Sequence, residues 1–206
     1  NIRDEKKSHV EVESMSEHND YYDYITNIIV PATVKMYGKT YTVVSIDDDA
    51  FRDFSYLRTI TLPSTITYVG RRAFANSGVY ANDDYWSNGI MYINNCLIAT
   101  RNFISGDVTI RNGTRVIAED AFPGRSSVTD FTIPSSVTSI VGGAFRGCSS
   151  LTSITIPASV TSIGVGAFRG CSSLTDITIP ASVTSIGDQA FLFCSSLTAV
   201  TIPSSV

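Results

Sequence analysis

Short runs of alternating apolar and polar residues recur along most of the chain at intervals of 23 residues. The clearest copy reads Leu151-Thr-Ser-Ile-Thr-Ile-Pro157, and its alternation has the period of a half-buried β-strand. Each copy also carries an Ala-Phe pair, which occurs six times, at Phe51, Phe74, Phe122, Phe145, Phe168 and Phe191. Tandem repetition at this length is typical of a solenoid in which each copy forms one turn.

The positions that stay apolar in every copy predict one inward-facing layer of side chains per turn. In the copy that starts at Leu151, this layer comprises Leu151, Ile154, Ile156, Val160, Ile163, Ala167 and Phe168. Burying each side chain contributes roughly 1.5 to 3 kcal/mol, whereas ordering each residue of the backbone costs roughly 1 to 2 kcal/mol. A single unit is therefore not expected to fold, and we predict that stacking between turns stabilises the molecule.

Two copies carry insertions. The first lies within residues 34–44 and contains a turn at Tyr37-Gly38-Lys39. The second lies in the interval of 48 residues between Phe74 and Phe122, where the runs 89–93 and 96–100 flank Asn94-Asn95. Strand-prone runs around an Asn pair, which tolerates positive φ, predict a tight hairpin. We therefore expect a lateral β-hairpin within an insertion that spans 79–105.

The repeat L-x-x-I-x-I-P-x-x-V-x-x-I-G-x-x-A-F-x-x-C closely resembles the BspA-like, Treponema-type leucine-rich repeats of bacterial and some protozoan surface proteins. The resemblance extends from about Ile25 to Val206 and includes both insertions. It implies an α/β repeat solenoid, a right-handed superhelix with short parallel strands on its concave face and irregular or short helical turns on its convex side. It also implies a secreted or surface-anchored adhesion protein, while the partner differs widely among such proteins.

The two ends of the chain lie outside the regular repeat. Within 1–24, the run His9-Val-Glu-Val-Glu13 alternates like a strand and Tyr21-Tyr-Asp-Tyr24 is aromatic, so we predict a segment that caps the solenoid over 25–206. The sequence stops at Pro203-Ser-Ser-Val206, in the middle of a repeat and without a polar cap, which suggests truncation. The polar start contains no signal peptide, and we expect that one has been removed.

Composition excludes some classes of partner. The net charge of −4 and the pI near 5.1 argue against nucleic acid, because phosphate binding needs a basic surface. The sequence also contains no apolar run of about 18 residues that would span a membrane. Together with the resemblance, these features predict an extracellular or cell-surface location. A cytoplasmic location is the alternative that they leave open.

The cysteines do not have the spacing of a disulfide or a zinc site. Cys148, Cys171 and Cys194 occupy the same position in successive repeats, so they lie at least one strand spacing of roughly 4.8 Å apart, beyond the usual Cβ separation of a disulfide. Cys96, in the insertion, has no equivalent in that column. We predict buried free thiols and no metal ligated by cysteine and histidine.

Candidate catalytic and calcium-binding residues are few. The only histidines, His9 and His18, lie in the nonrepetitive start, so a catalytic triad would have to be assembled there. The acidic runs at 47–49 and 83–84 lack the spaced ligands and glycine of a calcium loop, and solvated turn charges are the simpler interpretation. We therefore predict neither enzymatic activity nor a cofactor.

Outward-facing positions of the strands form a ladder that is a candidate binding face. If the strands stack in register, one face carries Thr61, Thr109, Asp130, Thr132, Ser153, Thr155, Asp176, Thr178 and Thr201. Threonine also suits an exposed strand for purely structural reasons. In favour of function, the acids at 107, 130 and 176 would give this face a negative field that prefers basic partners.

Aromatic residues in the second insertion form the other candidate, with Tyr85, Trp86 and Tyr92 as its contacts. Trp86, the only tryptophan, either anchors a partner or folds back onto the flank of the solenoid. The leading hypothesis is a non-catalytic module that binds host-matrix or microbial surface proteins through the concave face and the insertion. The alternatives are a glycan-binding module, with aromatic rings stacked on sugars, and a structural spacer within a larger surface protein.

Overall fold

Residues 24–206 and the backbone of His9–Val12 are described in a computed structural model of the chain. They form a β-solenoid of about six turns, and most regular turns contribute two short strands. Strands of successive turns pair in parallel, which gives two ladders along the molecule.

The first ladder contains the strands that precede the repeat prolines. Its members are β2 (Asn27–Ile29), β5 (Thr59–Thr61), β10 (Gly106–Thr109), β12 (Val128–Thr132), β14 (Ser153–Thr155) and β16 (Asp176–Thr178). They pair as β2 with β5, β10 with β12 and β14 with β16. Their central residues, such as Ile154 and Ile177, point into the core, and the flanking residues point to solvent.

The second ladder contains strands that lie later in each repeat, two residues long in the regular copies, together with β1 from the segment before the repeats. Its members are β1 (His9–Val12), β4 (Lys39–Ile46), β6 (Tyr68–Val69), β9 (Cys96–Thr100), β11 (Val116–Ile117), β13 (Ser139–Ile140), β15 (Ser162–Ile163) and β17 (Ser185–Ile186). β4 pairs with β1 and β6. The strands β9, β11, β13, β15 and β17 pair in that order as a continuous series. The strand predicted near His9 thus lies along β4, whereas Tyr21 and Tyr22 of the predicted cap lie outside the described residues.

The core between the ladders is a stack of equivalent side chains. The rings of Phe122, Phe145, Phe168 and Phe191 lie nearly parallel with centroids 5.4 to 5.7 Å apart. Phe51 and Phe74 form a second such pair at 5.3 Å. The predicted inward-facing layer is therefore confirmed, with an interruption between Phe74 and Phe122.

The outer part of each turn, from the repeat glycine to the second residue after the Ala-Phe pair, is termed the outer arc; one example is 164–170. The resemblance implied irregular or short helical turns here, and the arcs are irregular turns without helix. The N–H of Phe145 donates to the carbonyl of Ala167 at 2.8 Å, and that of Phe168 to the carbonyl of Ala190 at 2.9 Å. These backbone N–H groups therefore form hydrogen bonds to the next turn and not within a helix. Turns also approach closely, since a Cβ on Gly164 would lie 2.4 Å from the nitrogen of Gly142. Among the described residues, helix is confined to α1 (Gly78–Ala81) and a 3-10 turn (Asp83–Tyr85), and the molecule is a β-solenoid with little helix.

The first insertion forms a hairpin around its predicted turn, and the second contains the predicted hairpin. In the first, β3 (Thr33–Met36) pairs with β4, and Tyr37 and Gly38 at its tip have positive φ. In the second, β8 (Ile90–Ile93) pairs with β9 around Asn94, whose φ is 51°. A third strand, β7 (Trp86–Ser87), pairs with β8.

The second hairpin is part of the solenoid and not the lateral decoration that we expected. Its strand β9 pairs with β11, where Leu97 lies opposite Ile117. It consequently separates β5 from β10 in the first ladder. Side chains of the insertion accept the N–H groups at this break: the Tyr85 hydroxyl from Ile60 at 3.1 Å, and the Asn94 amide oxygen from Leu62 at 2.8 Å. On the β10 side, the Tyr92 hydroxyl accepts the N–H of Arg111 at 3.1 Å.

Candidate functional site

The first ladder presents most of the predicted binding residues on one exposed face. Asp107 lies opposite Asp130 and Thr109 opposite Thr132. Further along, Ser153 lies opposite Asp176 and Thr155 opposite Thr178. We call these eight residues the acid-threonine face.

Two of the predicted residues lie apart from this face. Thr61 pairs with Ile29, on the other side of the inserted hairpin. Thr201 is exposed but belongs to no strand. The continuous threonine ladder expected from the repeat spacing is thus divided, because the hairpin occupies the position of one turn.

The carboxylates of the acid-threonine face remain available to a partner. Within the described part of the chain, Asp107, Asp130 and Asp176 form no ion pair. The hydroxyl of Thr129 donates to Asp107 at 3.0 Å, which orients that carboxylate without neutralising it. Asp107 and Asp176 are exposed and Asp130 is half-buried. Unpaired acids on neighbouring strands produce a negative field that favours cationic groups.

A cleft connects this face to the insertion. Its volume is about 370 Å³, and its lining includes Asn88, Phe103, Ser105, Asp107 and Thr109. Phe103 is 69% exposed although its ring lies against Gly89. An exposed aromatic side chain beside polar groups is typical of a binding cleft.

Asn88 and Phe103 were not among the residues predicted from the sequence. Phe103 lies between Arg101-Asn102 and Ser105-Gly106, outside the repeat register. The repeat does not require an aromatic residue at this position for its core. Phe103 was therefore the one feature of the sequence that could have indicated this cleft.

Trp86 folds back onto the flank of the solenoid. Its indole N–H donates to the carbonyl of Tyr80 at 3.0 Å, and the two rings meet edge to face with centroids 5.2 Å apart. The guanidinium of Arg101 lies 4.6 Å from the centre of the indole ring. These contacts cover much of Trp86 and leave it half-buried.

The other two predicted aromatic contacts support the fold at the break in the first ladder. Tyr85 is half-buried and Tyr92 is buried, and the hydroxyl of each accepts a backbone N–H. Burial raises the pKa of Tyr92. Tyr92 therefore offers little surface to a partner.

All four cysteines are free and buried, which confirms the prediction for Cys148, Cys171 and Cys194. The thiols of Cys148, Cys171 and Cys194 donate to the carbonyls of Phe122, Phe145 and Phe168 at 3.4, 3.2 and 3.1 Å. Burial raises the pKa of Cys96 and of Cys148 to about 12. Buried thiols that are protonated at neutral pH pack as small apolar residues.

The described residues contain no group of three or more His, Cys, Asp or Glu side chains that is arranged to hold a metal ion. The side chains of His9 and His18 lie outside that part of the chain. No helix that the structure describes is long and apolar enough to cross a membrane.

Comparison with known proteins identifies the repeat. A model of the BspA type leucine rich repeat region matches residues 20–97 and 93–206, in six copies. No curated protein matches the chain. Among solved structures, the Treponema pallidum leucine-rich repeat protein is 23% identical, with 84% of this chain and 78% of that chain covered and a TM-score of 0.43.

Two further solved structures are similar. A leucine-rich repeat protein from Bacteroides ovatus is 23% identical, with all of this chain and 57% of that one covered and a TM-score of 0.45. A protein of Faecalibacterium prausnitzii, described as a leucine rich cell surface protein, is 30% identical, with 85% of this chain and 47% of that one covered and a TM-score of 0.41. The chain thus spans about half the length of these two proteins. The match to the repeat over nearly all of 20–206 shows that the chain belongs to the BspA type leucine-rich repeat family.

Proposed function

We propose that this chain is a non-catalytic binding module of an extracellular or cell-surface protein, and that its acid-threonine face holds a protein partner with exposed basic residues. The observation that carries the proposal is the set of unpaired carboxylates of Asp107, Asp130 and Asp176 on stacked strands. Membership in the repeat family supports the class of function. Host-matrix proteins and surface proteins of other microbes are the partners that we propose.

The face is suited to bind without large conformational change. Its side chains are short and are held on strands that pair in register, for example Thr155 opposite Thr178. Ordering such side chains costs less entropy than ordering long flexible ones. Lysine and arginine side chains of a partner would reach the carboxylates, while the threonine hydroxyls both donate and accept hydrogen bonds.

The neighbouring cleft adds an apolar contact. Phe103 is exposed at its edge, and Ile104 and Val108 are buried beneath it. Aromatic side chains at the centre of an interface often contribute most of the binding free energy. We propose that a partner spans the face and places an apolar side chain against Phe103.

Binding to immobilised matrix proteins at physiological salt tests this function. The variant Asp130→Lys/Asp176→Lys reverses two charges of the face, and Asp84→Lys/Asp188→Lys reverses two exposed charges elsewhere, so both carry the same net charge. We expect the first pair to lower the affinity at least tenfold and the second to change it less than threefold. An equal loss of affinity in both variants would mean that only net charge matters. The absence of binding to every matrix protein tested would favour a structural spacer.

A glycan partner is the second candidate, because the cleft places Phe103 beside Asn88, Ser105 and Asp107. An exposed ring with adjacent amide, hydroxyl and carboxylate groups can stack on a sugar and bind its hydroxyls. The covered ring of Trp86 is less suited to stacking than Phe103.

Oligosaccharide arrays with Phe103→Ala and Trp86→Ala test this alternative. Capture that is lost with Phe103→Ala and inhibited by free sugar would establish glycan binding. No capture on the array, from a folded sample, would remove the candidate.

A further inference from the structure

The outer arcs are interrupted at the inserted hairpin, and a cleft opens there on a different part of the surface from the acid-threonine face. The cleft has a volume of about 270 Å³ and lies between the arc that contains Phe74 and the arc that contains Phe122. The two arcs meet at one end, where the N–H of Glu119 donates to the carbonyl of Val69 at 2.9 Å. Beyond this contact they diverge.

The arc that contains Phe74 forms one wall of the cleft, and three of its backbone donors, two of them in residues that line the cleft, lack a partner among the described residues. In the preceding arc, the N–H groups of Asp49, Phe51 and Asp53 donate to the carbonyls of the next arc at 3.0, 2.7 and 2.9 Å. The equivalent residues one repeat later are Arg72, Phe74 and Asn76. Their N–H groups have no hydrogen-bond partner among the residues that the structure describes, because the turn that would supply the acceptors has no outer arc.

The opposite wall carries backbone acceptors. The carbonyls of Glu119, Ala121 and Pro123 are equivalent to those that accept hydrogen bonds in the following arc, at Gly142, Ala144 and Arg146. Ala121 accepts from the hydroxyl of Thr100 at 2.8 Å. The carbonyls of Glu119 and Pro123 accept no hydrogen bond from the described residues.

The charged residues of the cleft do not favour an anion. Arg72 pairs with Asp49 at 2.9 Å, and Arg71 lies 3.9 Å from Asp48. Arg125 donates to the hydroxyl and the carbonyl of Thr100, each at 2.9 Å. Since Glu119 and Asp120 also line the cleft, its charges are close to balanced.

We propose that this cleft binds a short peptide by its main chain, as a replacement for the missing outer arc. The open donors of Arg72, Phe74 and Asn76 on one side, and the open acceptors of Glu119 and Pro123 on the other, match a main chain that both accepts and donates, as in strand addition to an open sheet edge. The bound segment spans about five residues, the length from Arg72 to Asn76. Its inward side chains are small, such as glycine, alanine or serine, because buried Ala73 and Phe74 already fill the floor.

Nuclear magnetic resonance of the ¹⁵N-labelled chain tests the proposal with a peptide that copies an outer arc of the protein. The probe is the sequence of residues 164–170 with Phe168→Ala, blocked at both termini. We expect a saturable shift of the amide resonances of Arg72, Phe74 and Asn76. The variant Ala75→Trp fills the cleft and should weaken binding at least tenfold, whereas Ala181→Trp, at an exposed alanine elsewhere, should not.

Three results would overturn the proposal. Shifts caused by sodium acetate or sodium sulfate, and not by the peptide, would identify an anion site. An absence of peptide-dependent shifts at millimolar concentration would show that water alone solvates the open donors. Equal peptide binding by wild type and Ala75→Trp would place the peptide elsewhere. The variant Asp130→Lys/Asp176→Lys changes the acid-threonine face and leaves this cleft intact, so it keeps the two tests separate.

Discussion

At the scale of single residues, the column of phenylalanines shows how one side chain per repeat stabilises the stack. Phe168 is fully buried, with its ring 5.4 Å from that of Phe145 and 5.7 Å from that of Phe191. Parallel rings at this separation add to the gain from burial. Phe193, by contrast, is 64% exposed and stands outside the column.

Removing one ring from the column should leave a cavity between neighbouring turns. We expect Phe168→Ala to lower the free energy of unfolding by about 3 to 5 kcal/mol, and Phe193→Ala, the control, to lower it by less than about 0.5 kcal/mol. Urea denaturation followed by circular dichroism measures both changes. Similar small effects of the two substitutions would contradict the role of the column.

A second residue-scale feature is the contact between the Tyr68 hydroxyl and the Glu119 carboxylate, at 2.6 Å. Burial raises the pKa of Glu119 above its ordinary value, while the hydrogen bond from Tyr68 partly opposes this. The folded protein therefore holds the Glu119 proton more tightly than the unfolded chain does. This contribution to stability is present below the unfolded pKa and is lost as pH rises through the folded pKa.

The substitution Glu119→Gln removes the titratable carboxyl group and keeps an oxygen that accepts the hydrogen bond of the Tyr68 hydroxyl. We expect the free energy of unfolding of wild type, relative to this variant, to fall as pH rises from about 4 to about 7. Denaturant titrations of both proteins across this range measure the difference. A difference that rises with pH would mean that the folded pKa is lowered.

At the scale of elements, the inserted hairpin interrupts the main-chain hydrogen bonds of the first ladder, and its side chains accept the backbone N–H groups at the break. Tyr85, Asn94 and Tyr92 accept N–H groups at the broken edges of the first ladder. Leaving a backbone donor unsatisfied in a partly buried site costs free energy. The aromatic residues of the insertion therefore have a structural role whether or not they contact a partner.

Removing one hydroxyl tests this role directly. We expect Tyr92→Phe to lower the free energy of unfolding by about 1 to 3 kcal/mol, because the N–H of Arg111 loses its acceptor. Tyr37→Phe, at the 89% exposed tip of the first hairpin, is the matched control and should have almost no effect. Thermal unfolding curves of the two variants compare them, and equal stability of both would show that water replaces the hydroxyl.

The elements differ in how well the sequence predicts them. The strands before the prolines, the turn at Gly38 and the hairpin around Asn94 were predictable, since they combine strand-prone runs with turn residues. The second ladder was not, because its regular strands are two residues long, too short to show a period. The sequence also does not reveal which strand edges a hairpin pairs with. The three-dimensional structure was therefore needed to show that β9 pairs within the solenoid and that a cleft lies beside Phe103.

At the scale of the whole molecule, the hairpin creates two distinct surfaces by interrupting one turn. It divides the threonine ladder and places a cleft beside the acid-threonine face. It also opens the gap between the outer arcs, where three main-chain donors have no hydrogen-bond partner among the described residues. A uniform repeat would have neither cleft, so we propose that the irregular turn provides the specificity of the module.

Carboxyl footprinting of a complex with a bound matrix protein tests the central proposal most directly. The reagent converts accessible carboxylates to amides, and mass spectrometry of the digested protein reports the extent at each aspartate. We expect the partner to reduce labelling of Asp107, Asp130 and Asp176 and to leave that of Asp84 and Asp188 unchanged. Unchanged labelling of the first three residues in a saturated complex would show that the acid-threonine face is not the binding surface.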